Sequence, residues 1–221
     1  MSINLIWRID SAIILASDSL TTVRQNNRTF ARKTQRVFKL YCHIPLAAVC
    51  SGSSIIGELP VAQLLSQNYE QERESIEGYA DLIHEEIREA IKHDHSSIET
   101  TNFAIHLAGF CPTMNQFQHF LICTERNSLK PPRKLEREIF VGGDVGAGEI
   151  EILKEAGLGS VQSANIEQNM EASVDIVRSA MNRILSEDSN KVLEPAQILV
   201  IKKDRATWVN GPAIGNIADL A

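Results

Sequence analysis

Short apolar runs dominate the beginning of the chain and predict extended structure there. Ile3–Ile9 and Ala12–Ala16 are rich in Ile and Leu, and Asp10-Ser11 separates them. Two apolar runs joined by such a pair predict a β-hairpin with a tight turn. The second run does not alternate with polar residues, which is typical of a strand covered on both faces. The first hairpin is therefore expected inside the protein.

Helical periodicity replaces this pattern further along. Apolar residues recur three and four positions apart in Ile76–His93 and Asn169–Leu185, which predicts two amphipathic helices. Similar spacing predicts a first helix over Ser54–Asn68 with its N-cap in the small-residue turn before it, and Glu149–Ala156 reads as a short helix. The remaining β-rich runs predict strands at Arg36–Leu40, Leu46–Cys50, Asn102–Phe110, Phe117–Glu125, Glu138–Val141, Gln197–Lys202 and Thr207–Val209.

The order of these elements indicates the fold class. Strands come in groups and helices come in groups, so the chain lacks the βαβ alternation of a doubly wound sheet. Grouped elements with strands buried on both faces favour an α+β fold, in which two stacked sheets carry helix layers outside. This is a four-layer αββα sandwich. A chain of 221 residues without an evident linker predicts one domain over residues 1–221.

Charge and composition narrow the function classes. The net charge is −6 and the basic residues are scattered, which argues against nucleic-acid binding. The one basic cluster, Lys130–Arg137, holds two prolines and no aromatic residue, as a solvated loop does. No apolar run approaches the roughly 18 residues of a membrane helix. Arg8 and Asp10 interrupt the N-terminal apolar runs, so no signal peptide is expected and a cytoplasmic location is predicted.

Cysteine and histidine spacings do not suggest a metal or a cofactor. The four cysteines show no CxxC spacing, which fits a reducing compartment and not a zinc site. His84 lacks a second histidine one helical turn later, and His93 and His95 fall in a polar stretch. The glycine-rich turn after Val141 lacks the GxGxxG order of a phosphate loop. We expect neither a metal nor a cofactor.

The candidate chemistry lies in the first 33 residues. Ser2 becomes the first residue if Met1 is removed, Asp18 ends the second apolar run, and Lys33 follows after a loop. A terminal hydroxyl can use the α-amine as its base, a nearby ammonium favours the ionised hydroxyl, and a carboxylate orients the ammonium. Each residue also has an ordinary interpretation, because Met-Ser is a common start. Asp18 could end a strand at a turn, and Lys33 could be a surface base.

Taken together, these residues resemble the proteasome β-type family of N-terminal nucleophile hydrolases, including bacterial proteasome-like members of the HslV and Anbu kinds. Without a gap, Ser2 falls at the nucleophile, Asp10-Ser11 at the first turn and Asp18 at the conserved acid of that family. Lys33, within ARKTQRVFKL, matches its conserved lysine.

The resemblance also implies supporting residues. Ser51 or Gly52 matches the turn whose backbone N–H serves the oxyanion hole, Thr22 would bind the substrate strand, and Asp188 would support the terminal amine. Two departures stand out. The nucleophile is Ser where the family mostly has Thr, and Gly142-Gly143-Asp144 replaces a Gly-Ser-Gly turn, so a supporting hydroxyl is missing.

The family implies a peptidase that assembles into a homo-oligomeric ring or a related form. Its substrate would be unfolded polypeptide, often delivered by an ATPase unfoldase partner. Two alternatives stay open on the same fold. One is a catalytically inactive scaffold or binding subunit, which the glycine at position 143 favours. The other is a small-molecule amidase.

Overall fold

A computed structural model of the chain describes residues 3–25, 28–40, 42–57, 59–67, 69, 73–93, 102–126, 128–143, 146–158, 170–187 and 196–211. The helices in these ranges are α1 (Val61–Ser66), α2 (Ile76–His93), α3 (Ala147–Glu155) and α4 (Met170–Glu187). The strands are β1 (Ile3–Ile9), β2 (Ala12–Ser17), β3 (Leu20–Gln25), β4 (Arg28–Lys33), β5 (Val37–Lys39), β6 (Leu46–Gly52), β7 (Ile55–Ile56), β8 (Leu59–Pro60), β9 (Phe103–Cys111), β10 (Gln116–Glu125), β11 (Ser128–Leu129), β12 (Arg133–Lys134), β13 (Ile139–Gly143), β14 (Gln197–Ile201) and β15 (Ala206–Asn210).

Most strands join one of two larger antiparallel sheets. The five-stranded sheet has the order β13-β1-β2-β14-β15. The six-stranded sheet has the order β11-β10-β9-β6-β5, and β12 also pairs with β10. Two further pairs, β3–β4 and β7–β8, form separate hairpins. The first strands of the chain therefore occupy the middle of the five-stranded sheet, which explains why they are apolar throughout.

The predicted first hairpin is confirmed. Ile9 pairs with Ala12, and the register continues through Asn4 and Ser17 at its open end. Successive side chains on a strand point to opposite faces. Accordingly, Leu5 packs with α3 and α4, whereas Ile6 packs toward the other sheet.

The apolar side chains form three clusters. One contains α3, α4 and one face of the five-stranded sheet, with Val177 and Met181 fully buried. A second contains α1, α2 and one face of the six-stranded sheet, with Tyr79 fully buried. The third contains residues of both sheets, including Leu15 and Val49. The predicted mixture of α-helices and β-sheets is thus confirmed. None of the helices in the described ranges is long and apolar enough to cross a membrane.

The prediction of a helix over Ser54–Asn68 was wrong in its first half. β7 and β8 precede the helix, which begins only at Val61. Gly57 has φ +61°, and a Cβ on it would lie 2.6 Å from the carbonyl oxygen of Ala90. Leu59 precedes a proline, which disfavours helical backbone at that position. The chain therefore turns sharply before it can begin a helix.

Two segments interpreted as loops contain strands instead. The stretch between Asp18 and Lys33 is the hairpin β3–β4, in which Leu20 pairs with Lys33. The proline-containing loop after β10 carries β11 and β12, which extend the edge of the six-stranded sheet. In both cases polar side chains masked the strand pattern in the sequence. The helices α2 and α4 and the main strands agree with their predicted positions to within a few residues.

Candidate active site

Asp18 lies directly after β2 and is completely buried. Its Oδ1 accepts a hydrogen bond of 2.8 Å from the backbone N–H of Ile3. Its own N–H donates to the carbonyl oxygen of Ile3 at 3.3 Å. The pairing of β1 with β2 creates this contact, because it brings the start of one strand beside the end of the other. The carboxylate is therefore bound to the backbone one residue beyond Ser2.

Arg36 faces the same carboxylate. Its Nε lies 4.0 Å from Asp18 Oδ1, and the two side chains are 8% and 0% exposed. An opposite charge at this distance favours the ionised form of a buried carboxylate. In the sequence, Arg36 is predicted only as the first residue of a strand, and nothing there indicates that it is a charged partner of the candidate acid.

Gln197, at the start of β14, holds the segment that carries Arg36. Its Oε1 accepts hydrogen bonds from the N–H groups of Arg36 at 2.9 Å and Val37 at 3.0 Å. Its Nε2 donates to the carbonyl oxygen of Thr34 at 2.9 Å. Gln197 is only 2% exposed, so these bonds satisfy a buried amide that would otherwise be costly. The sequence offered one signal for it, a polar residue heading an apolar strand.

Gln197 belongs to a row of polar side chains that crosses three neighbouring strands. Asn4, Ser17 and Gln197 are neighbours across β1, β2 and β14. By strand alternation they share the face of Ile6 and Leu15, which points toward the other sheet. Ser17 Oγ donates to Asn4 Oδ1 at 2.8 Å. This end of the space between the sheets is therefore polar, whereas the rest of that space is mainly apolar.

The backbone of Lys33, the predicted lysine, lies close to that of the Asp18 segment. Lys33 ends β4 and pairs with Leu20, two residues after Asp18. The N–H of Thr34 then donates to the carbonyl oxygen of Ser19 at 2.8 Å. Thr22 pairs with Ala31 within the same hairpin. Ser2 and Asp188 lie outside the described residues.

Gly52 ends β6 in a conformation that requires glycine. Its φ is +84°, and a Cβ there would lie 2.2 Å from the carbonyl oxygen of Asn102. Ser51 precedes it and pairs with Ala104 on β9. A residue that leaves the β conformation at a strand end can present its backbone N–H away from the sheet ladder, which is the type of donor that stabilises an oxyanion.

Cys50 connects this strand end to the Asp18 region. Its N–H donates to the carbonyl oxygen of Arg36 at 2.9 Å. Burial raises the pKa of the Cys50 thiol to about 11, an increase that the Arg36 charge opposes and the Asp18 charge assists. The thiol is therefore neutral near pH 7 and is not a candidate nucleophile.

The two glycines that end β13 pair with β1 on the side opposite to β2. Gly143 pairs with Ile3, and Gly142 pairs with Asn4. Gly143 has φ +95°, a value that L-residues adopt only with strain. The position where the family resemblance expects a serine is thus next to Ile3, and its backbone favours the glycine that is present.

A second buried polar centre lies on the six-stranded sheet. His106 Nδ1 and His119 Nε2 are 2.9 Å apart, each residue is 2% exposed, and the ring centroids of Phe140 and His106 are 4.2 Å apart. Burial, followed by the Arg8 charge, lowers the pKa of His119 to about 3. Burial, followed by His119 and Arg133, lowers the pKa of His106 well below its usual range. The described residues contain no group of three or more possible metal ligands.

The mixed fold of antiparallel sheets and α-helices is similar to a proteasome-like fold. The solved structures that share it include a helical assembly of the Anbu complex from Pseudomonas aeruginosa, with a TM-score of 0.69 and 11% identity over 99% of this chain and 90% of that one. Anbu (ancestral beta-subunit) from Yersinia bercovieri matches with a TM-score of 0.63 and 14% identity over 95% and 87% of the two chains.

An Anbu (Gly-1) mutant from Hyphomicrobium sp. strain MC1 has a TM-score of 0.60 and 12% identity over 96% of this chain and 90% of that one. No family model and no curated protein matches the sequence. The chain is therefore similar to Anbu structures in fold, at a level of identity that establishes the fold alone.

Proposed function

We propose that this chain is a proteasome-like peptidase that hydrolyses peptide bonds with Ser2 as its nucleophile after removal of Met1. The observation that carries the proposal is the buried Asp18 carboxylate, which accepts the N–H of Ile3 at 2.8 Å and faces Arg36. This places an acid beside the residue that follows the candidate nucleophile. The Anbu-like fold supports the same assignment.

The chemistry would begin at the chain terminus. The neutral α-amine of Ser2 takes the proton of its own hydroxyl, and the oxygen attacks the carbonyl carbon of the scissile peptide. The backbone N–H at Gly52 stabilises the oxyanion, a contribution of about 3 kcal/mol in comparable sites. The C–N bond then breaks, the amine leaves with the proton, and water hydrolyses the acyl-enzyme. Lys33 and Asp18 would tune the nucleophile, and Asp188 would support the amine.

The proposal includes an architecture and partners. A single domain over residues 1–221 would form a four-layer αββα sandwich, an arrangement supported by the three apolar clusters. Copies would assemble into a ring or a related homo-oligomer, as the helical assembly of the similar Anbu complex suggests. The substrate would be unfolded polypeptide in the cytoplasm, delivered by an ATPase partner.

Two measurements on the full chain test this function. Intact-mass analysis should show a mature chain that begins at Ser2, and a β-lactone should acylate that residue. Ser2→Ala should abolish both labelling and hydrolysis of fluorogenic peptides. Ser128→Ala, at an exposed strand position, should leave both unchanged. A retained Met1, or labelling that persists in Ser2→Ala, would contradict the mechanism.

Gly143 favours a second candidate, a non-catalytic scaffold of the same fold. It pairs with Ile3 and carries no hydroxyl that could support the terminal amine. A scaffold should assemble in the same way with serine or alanine at position 2 and should not react with the lactone. Comparison of Ser2→Ala with the wild type by labelling and by analytical ultracentrifugation separates the two functions.

A further inference from the structure

Arg36 forms an ion pair with Asp18 and is nearly as buried as its partner. The Arg36 side chain is only 8% exposed, so its guanidinium cannot reach bulk substrate without a rearrangement of the fold. It is also removed from the roles that exposed arginines usually have in solubility or in surface ion pairs. Its position therefore requires another explanation.

The backbone of Arg36 is attached to both large sheets. Its N–H donates to Gln197 on β14, in the five-stranded sheet. Its carbonyl oxygen accepts from Cys50 on β6, in the six-stranded sheet. These bonds fix the backbone of Arg36, and the burial of its side chain, which is 8% exposed, limits the positions that the guanidinium can take beside Asp18.

Asp18 connects Arg36 to the backbone of Ile3. The same Oδ1 that faces Arg36 also accepts the N–H of Ile3 at 2.8 Å. An ionised carboxylate is a stronger acceptor than a protonated one, and its hydrogen bonds are shorter and better defined. A cation that favours the ionised form thereby strengthens the bond to Ile3, the residue that follows Ser2.

We infer that Arg36 is a positioning residue, which fixes the Asp18 carboxylate and through it the backbone that carries the terminal nucleophile. Gln197 supports it by holding residues 34 to 37 on β14. The inference rests on the proposed function of Ser2, because positioning has a catalytic consequence only if that residue reacts. The family resemblance assigns roles to Asp18 and Lys33 and none to Arg36 or Gln197.

The kinetic test compares three variants of the full chain. Arg36→Gln removes the charge and retains much of the shape, and it should slow acylation of Ser2 by a β-lactone about tenfold or more, since small displacements of a reacting group have effects of that size. Arg36→Lys retains the charge and should stay within about threefold of the wild type. Arg205→Gln is the matched control, because Arg205 lies 3.9 Å from Asp204 but is 65% exposed. It should leave the rate unchanged.

A spectroscopic test does not depend on catalysis. In protein labelled with ¹⁵N-isoleucine, the Ile3 amide signal is assigned from its disappearance in Ile3→Val. Arg36→Gln should shift this signal and speed its hydrogen exchange about tenfold or more, and Arg36→Lys and Arg205→Gln should not. If wild-type Ser2 does not react with the lactone, the proposed function fails while the Ile3 signal still decides the role of Arg36.

The outcomes that overturn the inference are specific. A folded Arg36→Gln with an unshifted Ile3 signal would show that the guanidinium does not position the terminus. If Arg36→Gln does not fold, Arg36→Met, which also removes the charge and keeps a long side chain, takes its place. A displaced Ile3 signal in that variant supports the inference, and a wild-type signal overturns it.

Discussion

The Asp18 region and the His106–His119 pair are both buried polar centres, and they differ in the partners that surround their titratable groups. Asp18 faces a cation and accepts a backbone N–H, both of which favour its charged form. The two histidines have each other and the Phe140 ring as neighbours, and Nδ1 of His119 has no hydrogen-bond partner among the described residues. Their pKa values are lowered, so they remain neutral.

The number and origin of these partners distinguish the Asp18 region, a candidate active site, from the histidine pair, a structural feature. A carboxylate in the interior needs partners from different parts of the chain, and Asp18 has them in β1 and in the segment before β5. A neutral imidazole pair needs only two adjacent strands, β9 and β10. Burial alone does not indicate function. The partners that burial requires are what distinguish the two centres.

Removal of the Asp18 carboxylate should have the largest effect. Asp18→Ala eliminates an ion-pair partner of Arg36 and the acceptor of the Ile3 N–H, and we expect the free energy of unfolding to fall by about 3–5 kcal/mol. Urea denaturation measures this change. Asp204→Ala, in an exposed pair with Arg205 at 3.9 Å, should stay within about 1 kcal/mol of the wild type. Equal losses in the two variants would remove the contrast between buried and exposed pairs.

Gly52→Ala should have the next largest effect. The added Cβ would lie 2.2 Å from the Asn102 carbonyl oxygen in a backbone with φ +84°, so strain and collision together should cost about 2–3 kcal/mol. Gly148→Ala, on α3 with nothing within 4 Å of the new Cβ, is the matched control and should be neutral or stabilising by up to about 1 kcal/mol. Thermal and urea denaturation of both variants test this. A tolerated Gly52→Ala would mean that the turn can take another form.

The histidine pair should produce an acid-sensitive stability. Folded His119 has a pKa of about 3 and that of His106 is also depressed. Unfolded histidine titrates near 6.5, so below that pH the unfolded state binds protons that the folded state does not. The free energy of unfolding should therefore be unaffected by the pair above about pH 6.5. It should fall by about 1.4 kcal/mol per pH unit for each histidine as the pH drops toward the folded values.

Urea titrations at several pH values between 7 and 4.5 measure this slope. The double variant His106→Gln/His119→Gln should show a shallower slope than the wild type. His84→Gln, on α2 outside the pair, should retain the wild-type slope. An unchanged slope in the double variant would mean that the pair is protonated in the folded protein.

Gly143→Ser should have the smallest effect and should not improve catalysis. It restores the hydroxyl that the family resemblance expects, but φ +95° strains any L-residue by about 1–2 kcal/mol. We expect a modest loss of stability and no increase in the rate of Ser2 acylation. A faster variant would show that the missing hydroxyl limits the wild-type enzyme.

The sequence predicted the elements whose apolar pattern is uninterrupted. The spacing of apolar residues alone predicts β1, β2, α2 and α4, because each of these elements packs one or both faces against a core. The hairpin β3–β4 was missed, since its residues are mostly polar or basic and it forms its own two-stranded sheet. Local sequence also did not reveal where α1 begins, because Gly57 and the residue before Pro60 interrupt an otherwise helical spacing.

The residues of the candidate site also fall into two groups, those that the sequence predicts and those that it does not. Asp18 and Lys33 could be proposed from the sequence because they flank apolar runs in a familiar order. Arg36 and Gln197 could not, since their importance arises from contacts between residues 161 positions apart. His106 and His119 lie within largely apolar strands, which is a signal of buried side chains that the sequence-based prediction did not use.

The hairpin β3–β4 has a consequence for how relatives of this chain should be sought. Its base is closed where Leu20 pairs with Lys33, and its strands extend away from that base to Gln25 and Arg28. Residues could be added or lost at the far end in evolution without a change in the distance between the backbones near Asp18 and Lys33. The count of residues between acid and lysine is then a poor search criterion. A pattern that anchors on the two flanking apolar strands and allows a variable gap would find homologues that a fixed spacing excludes.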